Sequence, residues 1–194
     1  PEPQCLQEHV KALQKMLEEE TYQPPEHKKM LINEYSCGKV REIIKPEFQY
    51  EQVVHHCIIK QLQPIVLHGL YEHALGSIPN RGCHSGKKQV EKWIKGYRGK
   101  KFYILKADVR HCFDTEDIRV IETKLKRVIK DERFVRLCST VMEHEATMKP
   151  PEFDREWIED EQWKDTEFLS GLPLGFVTSQ WFTQLNYKEL DHKI

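Results

Sequence analysis

Two segments of this sequence combine residue types that could hold a metal ion and a phosphate. The first is Lys106-Ala107-Asp108-Val109-Arg110-His111-Cys112-Phe113-Asp114. It sets a carboxylate just after a short apolar run, with an aromatic residue five positions further on. A carboxylate at the end of a buried strand is rigidly held and faces out of the sheet, where sites in mixed α and β folds form. Taken alone, Asp108 is more often a loop or capping residue than a metal ligand. The second segment is Gly171-Leu172-Pro173-Leu174-Gly175-Phe176-Val177-Thr178-Ser179-Gln180, followed by Asn186-Tyr187 and Leu190-Asp191. It reads as a proline-glycine entry into a helix, where free N–H groups can face phosphate. Alone, that signal is weak.

A third feature is electrostatic. The chain has 194 residues and a formal charge of -1, from 30 Lys+Arg and 31 Asp+Glu, but the charges are segregated. Residues 38–110 hold 14 bases and 6 acids, whereas residues 111–194 hold 12 and 18. Within 81–101 stand Arg81, Lys87, Lys88, Lys92, Lys95, Arg98, Lys100 and Lys101 against Glu91 alone, interleaved with Trp93, Tyr97, Phe102 and Tyr103. Such a patch can follow a phosphate backbone and displace its counterions. An ordinary solvated helix face would look the same. Residues 148–168, with 8 acids and 3 bases, read as a solvated hairpin or loop.

Composition excludes other classes. Hydrophobic residues at 39% and charged residues at 31% describe a globular chain with material for a core. No apolar run approaches the roughly 18 residues that cross a bilayer, and no basic-then-apolar leader is visible. The opening Pro1 suggests a piece of a longer polypeptide, and a cytoplasmic setting is expected. The six cysteines form no C-x-x-C pair and read as thiols in a reducing compartment. Cys83-His84 and His55-His56-Cys57 bring the two residue types together without the spaced pairs a zinc site wants.

The elements that must position these residues follow from periodicity. Leu6, Val10, Leu13 and Leu17 predict an amphipathic helix ending before Pro24-Pro25. Ile32 and Tyr35, then Val40, Ile43 and Ile44, flank Ser36-Cys37-Gly38 and predict a hairpin with Lys39 and Arg41 beside its tip. Val54, Ile58, Leu62 and Ile65 predict a helix that ends or kinks near Pro64. A loop over 77–86 leads to a helix carrying Val90, Trp93, Ile94 and Tyr97, with Ser85 as its cap. Phe102-Tyr103-Ile104-Leu105 suits a buried strand. Asp114 or Thr115 would cap a helix with Ile118, Ile121, Leu125 and Val128. Phe134, Leu137, Cys138 and Val141 mark another, and Val177, Trp181 and Leu185 a last one. The fold class is α+β.

Taken in order, these segments resemble the prokaryotic reverse transcriptases, the group of intron-encoded, retron and diversity-generating retroelement enzymes. The likeness runs from about Leu13 to the end. Glu20-Thr21-Tyr22-Gln23-Pro24 resembles the family's opening segment. Gly38 to Pro46 is similar to its fingertip hairpin, and Val53-Val54-His55-His56 to the helix that follows. Ser77 to Gly86 with the basic helix resembles the next block, Lys106 to Asp114 polymerase motif A, and Gly171 to Gln180 motif B. The Leu174-Gly175 to Ser179-Gln180 form is similar to the diversity-generating type of motif B and to that of some unclassified bacterial relatives.

The resemblance implies a right-hand polymerase fold, with the N-terminal helix and fingers in 1–100. A partial palm would occupy 101–194, with some fingers elements between motifs A and B. It implies an RNA-directed DNA polymerase working on an RNA template, a DNA or RNA primer and dNTPs, away from membranes, with an accessory protein as a further partner. Asp108 and the Val109 carbonyl would hold Mg²⁺, or Mn²⁺ in its place. Arg41 and Lys39 would neutralise the triphosphate, although Arg41 could instead pair across the hairpin with an acid such as Glu34. Phe113 would lie under the sugar and exclude a 2′-hydroxyl. Gly175 would let backbone approach the nucleotide, with Leu174 beside it. In place of the glutamine of intron-type relatives, Leu174 offers apolar contact alone, which implies an error-prone enzyme. Arg81, Lys87, Lys88, Lys92, Lys95 and Gln180 would meet nucleic acid. The Tyr/Phe-x-Asp-Asp motif C and the thumb are not found, and the sequence has no Asp-Asp pair. The 194-residue piece is therefore expected to be inactive alone. A relative that makes DNA without a template and a scaffold that has lost catalysis are the rival readings.

Overall fold

A computed structural model describes residues 3–34, 38–48, 50–146 and 169–193. The acidic 148–168 stretch lies outside the described residues. The chain forms α1 (Pro3–Glu18), β1 (Lys29–Glu34), β2 (Lys39–Ile44), α2 (Glu51–Leu67), α3 (Cys83–Gly96), a 3-10 turn (Cys112–Thr115), α4 (Ile118–Val128), α5 (Glu132–Glu143) and α6 (Val177–Tyr187). Helices outnumber strands, as expected of this α+β sequence.

The core is built by helical stripes. Val54, Ile58, Leu62 and Val66 of α2 are fully buried, as are Ile121 and Leu125 of α4 and Cys138 of α5. Trp181, Phe182 and Leu185 bring α6 into the same cluster, which extends from Leu13 to Leu185. It therefore continues across residue 100, with α6 packed on α2 and α4. Pro64 does not end α2. The helix runs on to Leu67, where the His68 N–H bonds the Pro64 carbonyl.

Local capping differs from expectation in two places. The side chain of Asp117 accepts the Arg119 N–H and starts α4, because Asp114 and Thr115 are taken up in the 3-10 turn. Helix α3 starts at Cys83 after Gly82, so Ser85 lies inside its first turn. Asp131 caps α5 through the N–H groups of Arg133 and Phe134.

β1 and β2 form an antiparallel pair in which Lys29 faces Ile44, Ile32 faces Arg41 and Glu34 faces Lys39. The expected hairpin is present; its tip at 35–37 lies outside the described residues. In this register Arg41 and Glu34 are diagonal neighbours on one face of the hairpin rather than directly opposite, with Ile32 opposite Arg41 and Lys39 opposite Glu34.

The expected strand over 102–105 does not form. Tyr103 and Leu105 are 98% and 87% exposed, and no strand is assigned between 101 and 109. A strand is completed by a neighbour that takes its N–H and C=O groups. Among the described residues, no strand pairs with this run; the neighbour it has is helix α3, whose C-cap Tyr97 places its ring 5.6 Å from that of Phe102.

Buried polar groups tie the helices together. The Glu51 carboxylate is fully buried at the start of α2. It accepts the Glu47 N–H at 2.7 Å and the His27 Nε2 proton at 2.5 Å, with His55 Nε2 at 3.6 Å. His55 Nδ1 lies 2.8 Å from the Thr178 hydroxyl, which reaches α6. Burial alone would raise the Glu51 pKa; the neighbouring His55 ring, the hydrogen bond from the Glu47 N–H and the His27 ring outweigh it and hold the group below its ordinary value. Its stabilising effect is thus present above the ordinary carboxylate pKa and is lost as pH falls through the lowered one. We expect Glu51→Gln to cost about 1–3 kcal/mol at pH 7 and to flatten the acid limb of stability. Urea unfolding of both proteins from pH 7 to pH 3 measures this.

Candidate nucleotide and nucleic-acid sites

The segment after Asp108 and the entry to α6 are joined edge to edge. The Leu172 N–H donates to the Phe113 carbonyl at 2.7 Å, the Gly171 N–H to Glu116 at 3.0 Å and the Ile118 N–H to Leu169 at 3.2 Å. Asp117 and Ser170 form an antiparallel bridge within this join. His111, in the left-handed region at φ 50°, turns the chain from the exposed 101–109 segment into the 3-10 turn.

The entry to α6 is in turn fastened to the hairpin. The Ile44 N–H donates to the Leu174 carbonyl at 2.8 Å. Gly175 has φ +110°, and a Cβ there would lie 2.2 Å from the Ile44 carbonyl oxygen. Only glycine permits this approach. The Ser179 hydroxyl donates to the Pro173 carbonyl at 2.8 Å, bracing the turn from within α6.

Around this junction lies a cavity of about 490 Å³, lined by Lys29, Glu42 and Ile44 of the hairpin, Asp114, Glu145 and the 170–174 turn. Three carboxylates and one lysine make its charged wall, and Lys29 is already paired with Glu42 at 2.7 Å. A polyphosphate entering this space would need to bring cations of its own.

The expected site residues divide into those the fold gathers and those it does not. Leu174 is half-buried and lines the cavity. Gly175 adjoins it, with the space for a Cβ filled by Ile44 rather than left open. Phe113 is half-buried against the core, and it is the neighbouring Asp114 that lines the cavity. Arg41 and Lys39 are exposed and share one face of β2. Strand alternation puts Glu42 and Ile44, which line the cavity, on the other face. Asp108 and Val109 lie in the exposed segment. Among the described residues, Asp108 joins no group of three candidate metal ligands.

Lys87, Lys88, Lys92 and Lys95 are exposed on α3, which buries none of its residues, and Gln180 is exposed in the first turn of α6. Arg81 is different. Its Nη1 donates to the carbonyls of Tyr71, Glu72 and Ala74 at 3.1–3.2 Å, so this guanidinium holds the 71–74 loop.

Sequence reading missed the buried Glu116. Its carboxylate accepts from Asn186 Nδ2 at 2.5 Å and from the Cys112 thiol at 3.8 Å, while Lys124 donates to the Asn186 side-chain oxygen at 2.8 Å. Burial raises the Glu116 pKa against the opposing hydrogen bonds. This network ties the 3-10 turn to α4 and α6 under the cavity. Its members are spread over 75 positions of sequence, and no local pattern announces them.

No family model matches the chain. It is 23% identical over 190 residues to the group II intron-encoded protein LtrA of Lactococcus lactis, covering 95% of this chain and 28% of that protein. It is 30% identical over 108 residues to nuclear intron maturase 1, mitochondrial, of Arabidopsis thaliana, covering 54% of this chain and 14% of that protein. The chain thus spans little more than a quarter of the intron-encoded protein and about a seventh of the maturase. With the ordered motifs, these similarities support a chain related to reverse transcriptases.

The junction itself can be tested by substitution. Gly175→Ala should destabilise the chain by about 2–4 kcal/mol, through a backbone clash added to a strained φ. Gly38→Ala has φ +67° but open space around its Cβ and should cost only about 1–2 kcal/mol. Urea unfolding of the two variants compares them directly.

Proposed function

We propose that this chain supplies the fingers and the first part of the palm of an RNA-directed DNA polymerase. The observation that carries the reading is spatial. Parts of three segments picked out by motif, Glu42 and Ile44 of 38–46, Asp114 at the end of 106–114 and the turn 171–174, are far apart in sequence and meet around one cavity. Distant similarity to an intron-encoded protein and an intron maturase supports an RNA partner. The motif B form supports the diversity-generating subtype, whereas both relatives belong to introns by name.

In this reading the dNTP occupies the space beside Leu174, above the Ile44–Leu174 junction. Leu174 gives the base or sugar an apolar surface, and Asp114 and the half-buried Phe113 bound it from the 3-10 turn. Arg41 and Lys39 reach the triphosphate only by closure of the hairpin over the cavity, so movement of β1 and β2 is part of the proposal. Arginine suits this role because its planar fork holds phosphate oxygens bidentately. The lysines of α3 and Gln180 follow the template backbone, with counterion release supplying the affinity.

The fit to a metal is partial. Mg²⁺ takes six oxygens, and this chain offers the Asp108 carboxylate and the Val109 carbonyl in an exposed segment. Those two groups would be its contribution to Mg²⁺ or Mn²⁺, and a bound divalent ion would supply charge neutralisation at the reacting phosphate. They are an incomplete set. An RNA-binding scaffold without catalysis is a rival reading.

Primer extension separates the readings, using the longest native polypeptide that carries this sequence, an RNA template, a DNA primer, dNTPs and Mg²⁺. Templated extension is expected, and Asp108→Asn should reduce it at least about a hundredfold, equivalent to roughly 3 kcal/mol, while RNA binding is retained. Extension that ignores the template would indicate a non-templated relative. RNA binding with no extension would indicate the scaffold, and an Asp108→Asn protein as active as the parent would remove Asp108 from the site.

A further inference from the structure

Among the described residues, the cluster best equipped to bind an ion is not at Asp108. His27, His144 and Glu145 each present one ligand atom, and these atoms lie within 4.8 Å of one another. His27 stands in the connection between α1 and β1, and the other two residues immediately follow α5. His27 Nδ1 is 2.5 Å from Glu145 Oε1, and His144 Nε2 is 3.8 Å from the same oxygen. The two imidazole rings meet edge to face at 5.3 Å.

The chemistry of His27 calls for a cation. Its side chain is 2% exposed, and both ring nitrogens face carboxylate oxygens at 2.5 Å, Nε2 towards Glu51 and Nδ1 towards Glu145. A neutral imidazole has one N–H, so it can satisfy one carboxylate and must turn a lone pair on the other. A positive centre between Nδ1 and Glu145 removes that conflict. It is either a proton on the ring or a metal ion.

The surroundings suit a metal. Donation from Nε2 to the buried Glu51 fixes the tautomer that leaves the Nδ1 lone pair outward, as carboxylates behind metal-bound histidines do. Tetrahedral Zn²⁺ with bonds of about 2.0–2.2 Å spaces its ligand atoms about 3.3 Å apart, between the 2.5 Å and 3.8 Å separations found here. The side chains of His144 and Glu145 are 26% and 19% exposed, which leaves a path for the ion and room for a water as fourth ligand. His144 Nε2 at present lies 3.0 Å from the Pro25 carbonyl, a bond that binding would replace.

We propose that His27 Nδ1, His144 Nε2 and the Glu145 carboxylate form a Zn²⁺ site with Glu51 behind it. The ion would pin the start of the hairpin to the end of α5. His27 is two residues from the first residue of β1, and Glu145 also lines the cavity described above. The site stands independently of the polymerase reading.

The test is titration of the metal-free chain with Zn²⁺ against a chromophoric chelator, with Co²⁺ as a spectroscopic substitute. One equivalent should bind, raise the unfolding temperature and, as Co²⁺, give the intense visible bands of a tetrahedral centre. His144→Ala and Glu145→Gln change side chains that reach the surface, and each should weaken binding at least about tenfold, with folding checked by circular dichroism. His84→Ala, on the exposed start of α3, should leave binding unchanged. Absence of a stoichiometric ion would overturn the proposal. So would binding that survives both ligand substitutions, or binding abolished by alkylating the exposed Cys57 and Cys83.

Discussion

The arrangement of the candidate site depends on one close approach of backbone to backbone, at Ile44 and Leu174-Gly175. The hydrogen bond from Ile44 to Leu174 joins the end of the hairpin to the turn before α6, and a missing side chain at Gly175 makes room for it. Without that contact, β1 and β2 are a two-stranded ribbon, which has little stability of its own in water. With it, the end of the hairpin at Ile44 is anchored to the turn before α6, and through α6 to α2 and α4, and Ile44 is the pivot about which Lys39 and Arg41 would close. The cavity beside the junction exists because the hairpin is held there.

The junction is supported from below by polar groups as well as by apolar packing. The chain of contacts from His27 through Glu51 and His55 to Thr178 runs under the turn from one side. Glu116 with Asn186 and Lys124 braces it from the other. Buried networks of this kind contribute more to uniqueness of structure than to stability, since each group must be satisfied by a particular partner. They fix the 3-10 turn and the entry to α6 relative to each other, which is what a site shared between those two segments requires.

Much of this was legible in the sequence where the determinant is local. The stripes of α2, α4, α5 and α6 were readable because each helix buries one face, and the hairpin because its apolar residues flank a glycine turn. Caps were misplaced by a few residues: Asp114 and Asp117 are equally good caps by type, and only the 3-10 turn decides between them. Phe102 to Leu105 has strand composition, but pairing is a property of two segments. Arg81 belongs to a basic patch by sequence and to a loop by geometry, because backbone carbonyls leave no sequence signature. The His27–His144–Glu145 cluster was invisible for the same reason, since its members meet across more than a hundred residues. Asp108, the residue most prominent in the sequence, is the one the described fold does least to position.

The claim that a nucleotide occupies the space beside the Ile44–Leu174 junction is tested most directly by amide hydrogen exchange. The polypeptide would be compared with an RNA–DNA primer–template alone and after addition of Mg²⁺ with the matched dNTP. The account predicts that the matched dNTP slows exchange in 39–44, 112–116 and 171–176 together, and that a mismatched one does so less. Protection confined to α3, with exchange at those three segments unchanged by any dNTP, would contradict it and leave this region as a nucleic-acid-binding scaffold.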